Sequence, residues 1–166
     1  GLSSFFDVLD GKIVGIRDDD LDKSDKLSRA DKALVDDTLR VISLSLANLK
    51  GVDSLNLSGE TAADIFLGKI TKWNDPAIAK DNPGVTLPST AITTVHRSDD
   101  SGTTFNFTDY LSQVSNGAWT DPASVTWPTG AGGQGLEGTS GVVGGVTDTD
   151  GAIGYADDSA AGSLGV

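Results

Sequence analysis

Thr94-Val95-His96-Arg97-Ser98-Asp99-Asp100-Ser101-Gly102-Thr103-Thr104-Phe105 joins two different hydrophobic periods. Upstream, Ala91-Ile92-Thr93-Thr94-Val95 is rich in β-branched residues and follows Pro88, so it reads as a strand. Downstream, Phe107, Tyr110, Leu111 and Val114 recur on the face of a helix. Ser101 suits the N-cap of that helix, with the N–H groups of Gly102, Thr103 and Thr104 pointing outward from its start. A helix N-terminus carries about half a positive charge and suits an anion. Arg97 adds a planar fork matched to a tetrahedral oxyanion. The same residues also fit a plain capped helix beside a surface arginine.

The 166 residues suffice for one domain with a core, and the 21 glycines imply many loops. No apolar run approaches the roughly 20 residues that span a bilayer. The sequence has no methionine and no recognisable signal peptide, so it reads as a processed or trimmed chain. A net charge of −12 disfavours nucleic acid and anionic membrane as partners and suits solubility outside the cell. Cysteine is absent and His96 is the single histidine, which excludes thiolate chemistry and a multi-histidine metal site. No cofactor is implied.

The flanking sequence alternates helical and extended patterns. A short helix carries Phe5 and Phe6, capped by Ser3 or Ser4, and Ile13–Ile16 is a buried strand. Asp18, Asp19 and Asp20 follow it, fitting either a functional carboxylate or a solvated turn, but not a calcium loop. Asp22 to Asp37 is an amphipathic helix, and Ile42 to Leu46 alternates like a half-covered strand. Val52 to Leu57 is a connector. Ser58 caps a helix ending at Gly68, and Asp75 caps another with Pro76 at its first position. Ser124–Pro128 reads as a short strand. The glycine-rich Thr129–Ser140 segment fits either a phosphate cradle or a surface loop, without the P-loop spacing. Gly151–Tyr155 is a compact buried strand, and the three tryptophans are expected in the core. Helices between strands point to an α/β sheet with helices on its faces, and anion sites there lie beyond the carboxyl ends of strands.

Four segments occurring in order carry a family resemblance: Asp64 to Ile78, His96 to Thr104, Trp127-Pro128-Thr129-Gly130, and Gly151-Ala152-Ile153-Gly154-Tyr155. Together they resemble the phosphate-binding proteins of ABC-type phosphate uptake systems, within the periplasmic binding protein type II superfamily. The likeness covers roughly residues 50–156 well and the first 50 more loosely. It implies a type II binding fold, here one complete lobe plus part of a second. Residues 1–50 would be a partial first-lobe segment, and 51–166 the phosphate-binding lobe.

The resemblance further implies that Arg97, Ser101, Gly102 and Thr103 hold phosphate while Asp99 braces the arginine. Asp18 would accept the proton that phosphate carries and sulfate lacks, so that a carboxylate there rejects sulfate. A further serine ligand falls on Ser3 or Ser4. Arg17 and Asp20 stand where the family has serine and proline, and Leu136 stands for a common asparagine. The implied partners are inorganic phosphate and a membrane permease. The implied location is extracellular or periplasmic, with a lipid anchor as an option in a longer form. Two other readings stand beside this one. One is a phosphatase-like hydrolase with Ser101 as nucleophile and His96 as the sole candidate base. The other is a structural or interaction remnant with weak or no phosphate binding.

Overall fold

The computed structural model describes residues 55–157, together with strand backbones at 13–16 and 39–42. Its strands are β1 (Ile13–Ile16), β2 (Leu39–Ile42), β3 (Asn56–Leu57), β4 (Thr93–Arg97), β5 (Gln134–Leu136) and β6 (Ala152–Asp157). The described helices are α1 (Gly59–Phe66), α2 (Pro76–Asp81), α3 (Gly102–Val114) and α4 (Gly138–Asp148). The strands form one sheet in the order β3-β1-β2-β6-β4-β5. β4 runs parallel to both β5 and β6, whereas β2 is antiparallel to β1 and β6.

Alternation along β6 explains the layering. Ile153 and Tyr155 join a cluster with Phe66, Trp73, Phe107, Leu111, Trp119 and Trp127. Ala152 and Ala156 point to the other face and pack with Val95, Val142 and Val146. The helices α1 and α3 therefore contribute to the core on one face and α4 on the other. A central strand buried on both sides must be apolar throughout, and Ala152-Ile153-Gly154-Tyr155-Ala156 is. Gly154 has to lack a side chain, because a Cβ there would lie 2.9 Å from Val146 of α4.

The capping residues behave as their chemistry requires. Ser58 Oγ accepts from the Thr61 N–H, and Asp75 Oδ1 accepts from the Ala77 N–H with Pro76 at the first helical position. The expected helix face holds, with Phe107, Tyr110, Leu111 and Val114 all buried. All three tryptophans are buried, and Trp73 Nε1 donates to Gly151 O at 3.1 Å.

Several expectations need correction. The strand expected at 91–95 begins at Thr93 and runs to Arg97; Ala91 makes only an isolated bridge to Lys72. Ser124–Pro128 is not a strand. Its polar groups turn toward α3 instead: Ser124 N donates to Thr108 Oγ1, and Val125 O accepts from Ser101 N. The connector at 52–57 includes the short strand β3. Asn82 secures β3 by accepting from Asn56 N and donating to Asn56 O. The glycine-rich tract leads into the eleven-residue helix α4, despite four glycines inside it. The helices expected near residues 3–11 and 22–37 and the segment 43–46 lie outside the described residues.

Candidate functional site

The parallel strands β4 and β5 end side by side, and each feeds a helix. β4 ends at Arg97 and α3 starts at Gly102; β5 ends at Leu136 and α4 starts at Gly138. Two helix N-termini thus follow the carboxyl ends of neighbouring strands, the placement that favours an anion.

Arg97 is held in a fork. Its Nε donates to Asp99 Oδ1 at 2.8 Å and its Nη2 to Asp99 Oδ2 at 2.5 Å. Nη1 reaches Thr139 Oγ1 on α4 at 3.4 Å. Asp99 Oδ1 also accepts from the Gly138 N–H at 3.0 Å. The carboxylate therefore ties the β4 end to the start of α4. The hydrogen bonds from the Arg97 guanidinium, then that from Gly138 N–H, hold the Asp99 carboxyl well below the usual carboxylate range. In this geometry Asp99 pins the Arg97 guanidinium from one side.

Ser101 is nearly buried and caps α3 as the sequence indicates. Its Oγ accepts from Thr103 N at 3.1 Å and Thr104 N at 3.3 Å. This corrects the expectation of three outward N–H groups. Two of them turn in to their own cap, because a serine N-cap reaches the second and third amides of its helix. The Gly102 N–H keeps no hydrogen bond to a described residue, and a Cβ built on Gly102 would meet nothing within 4 Å. The cap also has a chemical consequence. A hydroxyl offers one proton and two lone pairs, so an oxygen accepting two N–H groups has its own O–H left to donate. The Ser101 hydroxyl and the Gly102 N–H are thus adjacent donors at the helix start, with the space a Cβ on Gly102 would take left open.

Beneath this surface lies an aromatic stack. The His96 ring lies on Trp127 at a centroid distance of 5.0 Å and an angle of 10°. Trp127 stacks on Tyr155, and Tyr155 on Phe107. His96 Nδ1 lies 2.8 Å from Arg97 O, and the ring makes no hydrogen bond to Ser101 among the described residues. The glycine-rich loop is a cover over the stack. Trp127 Nε1 donates to Gly132 O, and a Cβ on Gly133 would lie 2.6 Å from Thr94 Oγ1. Gly133 and Gly135 allow this close approach, whereas a Cβ on Gly130 or Gly132 would meet nothing within 4 Å.

Sequence reasoning missed Tyr155 and Thr139. The Tyr155 hydroxyl accepts from Arg97 N at 3.3 Å and lies 2.6 Å from Thr104 Oγ1. Burial pushes its phenol pKa up. The signal available for Tyr155 was a lone hydroxyl in an otherwise apolar strand, since a buried tyrosine needs a partner. Asp18, Ser3 and Ser4 lie outside the described residues.

A mixed sheet with helices on both faces and polar loops beyond its parallel strand ends is the architecture of an α/β binding domain. The domain described as "PBP superfamily domain" matches residues 29–164, and the chain belongs to that superfamily, with a type II-like α/β fold. It is 57% identical over 106 residues to the phosphate-binding protein PstS of Pasteurella multocida, covering 61% of this chain and 30% of that one. It is 51% identical over 116 residues to PstS of Xylella fastidiosa, covering 66% and 31%. The chain thus spans about 30% of the length of these curated relatives.

Among solved structures, PfluDING, described as a high affinity periplasmic phosphate-binding protein bound with phosphate, superposes with a TM-score of 0.51. That match has 27% identity and covers 64% of this chain and 29% of the other. A DING protein superposes with a TM-score of 0.55 at 22% identity, covering 72% and 32%, a likeness of fold. Among the described residues, no helix is long and apolar enough to cross a membrane.

Proposed function

We propose that this chain holds inorganic phosphate as part of the extracytoplasmic solute-binding component of an ABC phosphate importer. It acts by binding and delivering the ion rather than by turning it over. Residues 51–166 form the phosphate-binding lobe in this reading, and residues 1–50 a partial first-lobe segment. Arg97 supplies the charge, the Ser101 hydroxyl and Gly102 N–H supply donors, Thr103 adds its side of the helix start, and Asp99 fixes the arginine. Asp18 and a serine at position 3 or 4 would complete the ligand set. The names of the relatives support the choice of phosphate among anions.

The observation that carries this reading is the fork between Arg97 and Asp99, followed directly by the capped helix start with open space over Gly102. Calorimetry with phosphate and with sulfate tests it. Phosphate is expected to bind in preference to sulfate. Arg97→Ala should weaken it by at least about tenfold, the scale of a hydrogen bond to a charged group. Absence of phosphate binding, or equal affinity for the two anions, rejects the reading.

A further inference from the structure

We propose that Tyr155 is a positioning residue for the anion site, its hydroxyl bolting the end of β4 to the first turn of α3. The proposal rests on the phosphate reading for its ligand, but not for its geometry. The ladder between β4 and β6 pairs Thr93 with Ala152 and Thr94 with Ile153. Farther along, the Arg97 N–H donates to the Tyr155 hydroxyl, at 3.3 Å. The same oxygen lies 2.6 Å from Thr104 Oγ1, and Thr104 is fully buried.

One atom therefore connects the residue that carries the guanidinium to the helix turn that presents Gly102. The spacing between these two donors cannot drift while both bonds are made. The ring itself is fixed. Phe107 lies 4.5 Å from it and Trp127 5.6 Å, centroid to centroid, and Tyr155 is 1% exposed. A side chain buried in this way does not reach the ion and acts only through Arg97 and Thr104. Other residues near the site hold one partner or the other: Asp99 holds the guanidinium, and Ser101 caps the helix. Tyr155 joins the two.

The test uses the whole chain and two substitutions that keep shape. Tyr155→Phe retains the ring and its stacking but loses the hydroxyl. It is expected to bind phosphate up to about tenfold more weakly by calorimetry, because two donors no longer held in register must be ordered when the ion arrives. Thr104→Val removes the connection from its other end and should give a similar loss. The double variant should be no weaker than the worse single one, because both delete the same link. A second readout needs no ligand. In the phosphate-free protein, the 15N resonances of Arg97 Nε and of the Gly102 amide should shift or broaden in Tyr155→Phe, which a uniform loss of stability would not cause.

Affinity within about twofold of the original in folded Tyr155→Phe overturns the proposal, since the donors would then need no link to stay ordered. So do losses that multiply in the double variant, or resonances that stay in place. If the original chain takes up no phosphate, the phosphate reading fails separately. The resonances then decide: displaced signals support Tyr155 as the link between Arg97 and Gly102, and unmoved signals overturn it.

Discussion

Gly102→Ala separates the stability of this site from its use. Gly102 is the first residue of α3, its φ is outside the left-handed region, and a Cβ there would touch nothing within 4 Å. The fold has no need of glycine at this position. Alanine restricts the unfolded chain more, and in a helix interior the exchange stabilises by about 0.5–1 kcal/mol. At a first-turn position the gain should be at the low end. A domain of this size gains about 2–4 °C in Tm per kcal/mol, so the rise should not exceed about 4 °C. Binding should move the other way. The new methyl stands in the open space beside an N–H that keeps no hydrogen bond to a described residue. Loss of a hydrogen bond to a charged ligand costs about 1.5–3 kcal/mol, which is about 10- to 150-fold in Kd. The assay pairs thermal unfolding without phosphate with calorimetry in its presence. Unchanged affinity would refute the approach of the ion at Gly102. A fall in Tm would refute the claim that the space over Gly102 is open.

Gly151→Ala should behave in the opposite way. Its φ is +78° and an added Cβ would lie 2.2 Å from the Ala91 carbonyl oxygen, so backbone strain and overlap combine. A loss of at least about 2 kcal/mol is expected, read by urea unfolding and by the fluorescence of Trp73, whose indole donates to Gly151 O. Unchanged unfolding would contradict the packing at this turn. Asp99→Asn tests the brace through pH. The folded Asp99 pKa is depressed, so its stabilisation is fully present above the ordinary aspartate value of about 3.9 and is lost as pH falls toward the folded value. The advantage of the original chain over Asp99→Asn should therefore be constant from pH 5 to 7, about a unit or more above that value, and shrink below about pH 4. Melting curves across that range would show a pH-independent difference if the carboxylate did not matter.

The parts legible in the sequence were those whose physics is local. Ser58, Asp75 and Ser101 are caps because a short oxygen-bearing side chain satisfies its own helix start, and nothing distant can change that. The face of α3 was legible because Phe107, Tyr110, Leu111 and Val114 repeat on its period. The α4 helix was not, since Gly138, Gly141, Gly144 and Gly145 each lower intrinsic helicity. Tertiary packing overrides that propensity. Val142 and Val146 lie against β4 and β6, and a Cβ on Gly145 would overlap Leu136. The 124–128 segment misled for the reverse reason. Its β-branched residues favour a strand, but the backbone groups of Ser124 and Val125 are claimed by Thr108 of α3 and by its N-cap Ser101. In the candidate site, Arg97 and Ser101 were readable within one segment, while the role of Asp99 followed only from the family resemblance. Tyr155 and Thr139 reach it from other elements, so spacing could not reveal them.

That division bears on how a chain of net charge −12 would hold the anion proposed above. Long-range repulsion is screened within about 10 Å at ordinary salt, so the outcome depends on what lies within a few bonds of the ion. There the sum of formal charges is also unhelpful, because Asp99 balances Arg97. What remains is direction. Asp99 fixes the guanidinium from one side, Ser101 uses both lone pairs on its own helix and has its proton left to give, and the Gly102 amide keeps no hydrogen bond to a described residue. A donor held in place beforehand loses little entropy when an ion arrives, whereas a mobile lysine of the same charge would lose more. In the proposed reading the site therefore depends on rigidity more than on charge. That places the burden on the buried contacts behind it, the fork to Asp99 and the hydroxyl of Tyr155, rather than on the number of cations at the surface.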